Sequence, residues 1–179
     1  MGLLSNALDA LTKAASRTPT QKAGAGQPGA VEGEDLPAIP DLATLVTPAE
    51  VKQVTGGDLK GEPRRNGPQG SEVIGGRLVI WEAQLTNGDE FLTTLSVNFD
   101  EAGAKLTMDR MNEAEHKPLE GVGERGLVRV KSYKKSGKSE VGVSARQGVY
   151  TLSLTHTSMS GLTDYGPLAD LLRIALTRI

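Results

Sequence analysis

The sequence predicts an α+β fold, a single antiparallel sheet of about five strands with helices packed on one face. Three observations predict it. A strand–strand–helix pattern, in which period-2 apolar alternation gives way to a helical stripe, occurs twice, over residues 77–115 and 140–179. Asn87-Gly88 and Gln147-Gly148 punctuate the two strand pairs where hairpins would turn. Most apolar residues fall after Leu42, which leaves about 135 residues to build one core.

Taken in order, residues 3–17 read as an amphipathic helix. Leu4, Leu8, Leu11 and Ala15 recur at i, i+4, i+7 and i+11, while Ser5, Asn6, Asp9, Thr12, Lys13 and Arg17 fill the other side. A helix this short is marginal alone in water and needs a surface to fold against. Residues 18–40, which include QKAGAGQPGAVEGEDLPAIP, hold too little apolar surface to offset ordering and read as a flexible tether. The predicted division is a docking helix over 1–17, a Gly/Pro/Ala-rich tether over 18–40 and a single α+β domain over 41–179.

Within the domain, Thr47-Pro48-Ala49-Glu50 is a helix start with a capping box, and Gly56 or Gly57 ends that helix. Residues 58–76 read as a loop with an edge strand. Val79, Trp81, Ala83 and Leu85 alternate toward the core, and Asn87-Gly88 predicts a type I′ turn. Phe91, Leu95, Val97 and Phe99 return on the same side, and Asp100 caps a helix reaching about Glu115 with Ala104, Met108 and Met111 inward. Residues 127–131 predict a strand, Val141, Val143 and Ala145 another, and Tyr150, Leu152, Leu154 and His156 its partner. Leu168, Leu171, Leu172, Ala175, Leu176 and Ile179 form the stripe of the last helix, which Pro167 opens.

Composition narrows the function classes. With 20 basic and 22 acidic residues the net charge is −2, and aromatics make up 3%. Neither an electrostatic footprint for nucleic acid nor base-stacking platforms are present. The chain has no cysteine, which excludes disulfides, thiolate metal sites and cysteine nucleophiles. No run approaches the ~18–20 apolar residues of a membrane-spanning helix. Asn6 and Asp9 break the Leu-rich start that a signal peptide would need, so a cytoplasmic location is expected.

Several features together resemble a known group. These are the Leu-rich lead with TPAEVKQVTGG (47–57), the strand ending in Trp81, the helix followed by PLEGVGERG (118–126), the consecutive strands and the terminal amphipathic helix. The pattern over residues 42–179 is similar to small actinobacterial lipoproteins and extracytoplasmic sensor-type domains of unknown or ligand-binding function. The resemblance implies small-ligand sensing and no catalytic residues. Two departures stand out. Members of that group commonly carry a cysteine two residues before the tryptophan, where this chain has Val79, and the lipobox cysteine is replaced by the lead helix and tether.

Four motifs invite chemistry and each has a plainer reading. Gly121-Val122-Gly123-Glu124-Arg125-Gly126 spells G-x-G-x-x-G, but a helix precedes it and a strand follows, the inverse of a dinucleotide site. Glu113-x-x-His116 has metal-pair spacing, yet His156 is the only other histidine. Arg125, Arg129, Lys131, Lys134, Lys135 and Lys138 form a basic strip that reads as a solvated hairpin guarding against edge pairing. Ser158-Met159-Ser160-Gly161 lacks a base nearby, and no G-x-S-x-G elbow exists.

The sequence therefore predicts no enzyme, no cofactor and no metal. It predicts a protein-interaction module, an adaptor or assembly component that docks on a protein partner through Leu4, Leu8, Leu11 and Ala15. The alternatives are a ligand sensor with its cleft between the sheet and helix 101–115, and a peripheral membrane protein attached by the lead helix.

Overall fold

The computed structural model describes residues 37–71, 76–111 and 115–179. The lead helix with Leu4, Leu8, Leu11 and Ala15 lies outside the described residues, as do most of the tether and Glu113.

Helix α1 (Leu42–Leu45) is a single turn capped by Asp41, whose carboxylate accepts the Ala43 N–H at 3.3 Å. Helix α2 (Pro48–Thr55) begins where the sequence predicts: Thr47 and Glu50 form the capping box, and Gly56 at φ 74° ends the helix. Arg178, beyond the last helix, donates to both Glu50 oxygens at 2.6 and 3.0 Å and to the Leu45 carbonyl at 2.8 Å. Its hydrogen bonds outweigh burial and hold the Glu50 carboxyl down at about 2.

Strands β1 (Arg64–Ser71), β2 (Gly76–Gln84) and β3 (Glu90–Asn98) precede helix α3 (Glu101–Met111). Strands β4 (Lys117–Leu119), β5 (Arg125–Tyr133), β6 (Lys138–Gln147) and β7 (Tyr150–Ser158) precede helix α4 (Gly166–Leu176). Among the described residues the strands form one seven-stranded sheet in the order β1-β2-β3-β7-β6-β5-β4, with every neighbour antiparallel. The α+β class and single antiparallel sheet are as the sequence predicts, but the strand number is seven rather than five. The two strands beyond those five are the edges: β1 falls where an edge strand is read within residues 58–76, and β4 is the one the sequence does not predict. β1 (RRNGPQGS) has no apolar alternation and is held by backbone pairing to β2, and β4 is too short to show a period. No helix among the described residues is long and apolar enough to cross a membrane.

Register sorts the side chains into two faces. Val79 lies opposite Leu95, which lies opposite Leu152, which lies opposite Ala145. This inner face, with Trp81, Phe91, Val97, Val141, Val143 and Leu154, packs against α1, α2 and α4 in one apolar cluster. Ile39 packs on the same cluster, and the Tyr150 hydroxyl donates to the Ala38 carbonyl at 3.0 Å.

The outer face corrects the expectation that all helices share one side. α3 lies across it: Asn98, of outer parity, donates from Nδ2 to Thr107 Oγ1 at 3.2 Å, and Asp109 pairs with outer-face Arg125. A proper two-fold relating the two strand–strand–helix units would keep both helices on one face. The units share an order of elements but are not related by symmetry. The reason is the helix itself, since α3 offers only Ala104, Thr107 and Met108 as buried residues, too narrow a stripe for the apolar side.

Two local expectations also change. Phe99, expected inward, is 49% exposed because β3 ends at Asn98 and Asp100 turns the chain, accepting the Gly103 N–H at 2.7 Å. Asn87-Gly88 is not a two-residue type I′ turn. Gly88 N–H donates to the Leu85 carbonyl at 3.0 Å and Leu85 N–H to the Asp89 carbonyl at 2.9 Å, with Gly88 at φ 89°. That is a three-residue loop ending in a left-handed glycine, and the extra residue lets Asp89 turn inward.

Candidate functional site

The longer hairpin loop creates the most buried ionisable arrangement in the domain. Asp89 and His156 are 8% and 4% exposed, and His156 Nε2 lies 2.8 Å from Asp89 Oδ2. Asn87 fixes the carboxylate: its Nδ2 donates to the same oxygen at 3.1 Å and to the Thr55 carbonyl at 3.1 Å, and its Oδ1 accepts the Asp89 N–H at 3.1 Å. Gly57 makes room, since a Cβ there would stand 2.6 Å from Asn87 Oδ1. The loop, the end of α2 and β7 are thus tied together through the Asn87 amide and the Asp89 carboxylate.

Beside His156 is a cavity of about 70 Å³, lined by Val54, Val141, Leu162, Asp164, Pro167 and Leu168. A volume of this size has room for a few waters and falls short of a metabolite. A carboxylate–histidine pair is the orienting half of a nucleophilic site, and a nucleophile would complete it. The neighbouring serines serve the strand end instead. Ser158 and Ser160 hydroxyls bond each other at 2.7 Å, Ser160 N–H donates to Ser158 Oγ at 3.1 Å, and Ser139 Oγ donates to the Ser158 carbonyl at 3.3 Å.

His116 belongs to a different neighbourhood. It lies near outer-face Arg129 and Glu140, which pair with each other. Burial pushes its imidazole pKa down and Arg129 adds to this, while Glu115 and Glu140 oppose it; Nδ1 is buried with no partner among the described residues. His156 points to the inner face and His116 sits with outer-face groups, so the sheet separates the two histidines. Among the described residues no group of three or more His, Asp or Glu is arranged to hold a metal.

The glycine run at 121–126 spans the loop joining β4 to β5 and the first two residues of β5, with no helix after it. Gly121 and Gly123 adopt φ 69° and 60°, and a Cβ on Gly123 would stand 2.5 Å from the Arg146 carbonyl. Glu124 within the run accepts the Gly148 N–H at 2.9 Å and pairs with the buried Arg146. The run is a close-packed turn locking two hairpins together.

The basic strip is dispersed by pairing. Arg125 pairs with Asp109, Arg129 with Glu140, Lys131 with Glu115 at 3.2 Å and Lys138 with Glu90 at 3.8 Å. Lys134 and Lys135, exposed in the β5–β6 turn, have no ion pair among the described residues.

Leu4, Leu8, Leu11 and Ala15 lie outside the described residues. Sequence reasoning identified His156 as a strand histidine on the inward side but missed Asn87 and Asp89 as its supports. The signal lay in Asn87-Gly88-Asp89, where two polar side chains flank a turn glycine directly across from the histidine strand. No protein-family model matches the chain, and no curated protein matches it.

Proposed function

We propose that this chain is a non-catalytic protein-interaction module, docking on a larger assembly through the apolar stripe of Leu4, Leu8, Leu11 and Ala15. The observation that carries the reading is that stripe, set ahead of a tether whose composition favours extension over packing. The domain's interior supports it. His156 is engaged with Asp89, the serines beside it are engaged with one another, and the adjoining cavity of about 70 Å³ suits water. Recognition is then the work of surfaces. Small-ligand sensing, which the lipoprotein resemblance implies, would use a cleft between the sheet and helix 101–115; the cavity beside His156 is on the opposite, inner face and is too small for a metabolite.

The test is capture of partners by the full chain against the full chain carrying Leu4→Asp, Leu8→Asp and Leu11→Asp. Loss of partners in the triple variant, with an unchanged melting temperature, supports the reading. Retention of every partner overturns it. A truncation control should begin at Leu36, because Ala38 and Ile39 contact the domain.

A further inference from the structure

We infer that the outer edge of β5, over residues 129–133, is a strand-addition site for an extended acidic segment of a partner protein. β4 covers β5 only from Gly126 to Val128, so beyond Val128 the ladder is open on that side among the described residues. The hydrogen-bond phase can be read from the turn. The Tyr133 carbonyl accepts N–H groups from Ser136 at 3.1 Å and Gly137 at 2.9 Å, so Tyr133 turns its polar groups toward β6. Alternation then turns Arg129 and Lys131 the same way, and Val130 and Ser132 outward. Pro118, which has no N–H, sits opposite Leu127 and agrees with this phase. Val130 and Ser132 therefore present two N–H and two C=O groups along a straight edge.

The opposite edge is different. β1 breaks register between Asn66 and Gln69 around Pro68, which interrupts the donors an added strand would need. At β5 the pairing with β4 ends at Lys117, and Glu115 ahead of it engages outer-face Lys131 through its side chain at 3.2 Å. Val130 stays 43% exposed on the inner-face side, an apolar residue that an added strand would cover.

Charge selects the occupant. With Arg129 and Lys131 paired internally, Lys134 and Lys135, which have no ion pair among the described residues, leave positive charge at one end of the edge. An added strand antiparallel to β5 would bring its N-terminal end there, so carboxylates at that end complete the contact. A second copy of the chain fits poorly. The two-fold register that uses both Val130 and Ser132 sets Lys131 against its own counterpart, and like charges directly opposite are unfavourable.

The experiment is an amide-resolved NMR titration of the full chain with a blocked Asp-Asp-Val-Thr-Val-Thr peptide. Support is slowed hydrogen exchange and shifts at the Val130 and Ser132 amides, weakening at least tenfold when Lys134→Glu and Lys135→Glu are combined. Ser132→Pro removes one outward N–H from an edge position where proline is tolerated, and it should abolish binding while leaving the melting temperature within a few degrees. The inference is overturned if the peptide leaves both amides unperturbed, or if a Lys-Lys-Val-Thr-Val-Thr peptide binds equally well. It is also overturned if the same amides become protected with protein concentration in the absence of peptide.

Discussion

The two faces of the sheet are built on opposite terms. The inner face sets Val79, Leu95, Val143, Leu152 and Leu154, all solvent-inaccessible, against six buried residues of α4. The outer face sets Ser96, Asn98, Ser144, Arg146 and Thr151 beneath α3, which buries three. Beyond α3 it continues as half-exposed Leu92, Thr94, Ser153 and Thr155. Apolar burial yields roughly 25 cal/mol per Å², whereas a satisfied hydrogen bond nets about 1 kcal/mol. One face thus carries most of the fold's stability, and the other is free to vary in what it presents.

The largest expected effect tests that division. Leu172, fully buried in α4, should lose about 3–4 kcal/mol on change to Ala, because the sheet beneath cannot follow it into the cavity. Leu92→Ala, half-exposed on the outer face, should lose less than about 1 kcal/mol. Denaturant midpoints at constant slope measure both. Equal losses would break the comparison.

Next in size is the polar anchor that the inner face does contain. Asp89→Ala removes the acceptor of a buried imidazole and of Asn87, and should destabilise by about 2–3 kcal/mol. A His156→Phe change made in that variant should recover part of the loss, since it removes the stranded polar group. If Asp89→Ala is silent in thermal melts, the pair is ornamental.

A smaller effect belongs to the closure between α2 and the C-terminus. Glu50 has its carboxyl lowered from 4.5 to about 2, chiefly by Arg178. A depressed carboxyl stabilises the fold above its unfolded value, so this contribution is whole above about 4.5 and drains away as pH falls toward 2. Solvent reaches the pair, which reduces the Glu50 contribution to about 0.5–1 kcal/mol. Glu50→Gln should cost that much at pH 7 and flatten the loss of stability between pH 4.5 and 2 in acid titrations.

How much of this was legible depended on whether a feature repeats. The α4 stripe and the alternation of β2, β3, β6 and β7 repeat, and their inward residues read directly from the sequence. The side that α3 takes was not legible. Alternation defines two parities but not which one the next helix will cover, and Ala104 and Met108 alone give too narrow a stripe to decide. β4 has three residues and no period to read. The Asp89–His156 pair was hidden because Asn87-Gly88 has two turn solutions, and only the longer one turns Asp89 inward.

The smallest prediction returns to the outer face, where the sequence has left room. Gly142, mid-strand in β6, lies opposite Thr155, and a Cβ added there would meet Thr155 Oγ1 at 3.4 Å, an ordinary contact. Its φ is not among the positive ones, so alanine is unstrained. Glycine inside a strand carries an entropic penalty of roughly 0.5–1 kcal/mol relative to alanine, which nothing nearby requires. Gly142→Ala should therefore stabilise the domain by about 0.5 kcal/mol, raising the melting temperature by a few degrees at most. A gain shows that this stretch of the outer face is held open without help from packing. A loss would mean that the bare backbone at Gly142 is itself required, and that the outer face is packed more tightly than the contrast with the inner face implies.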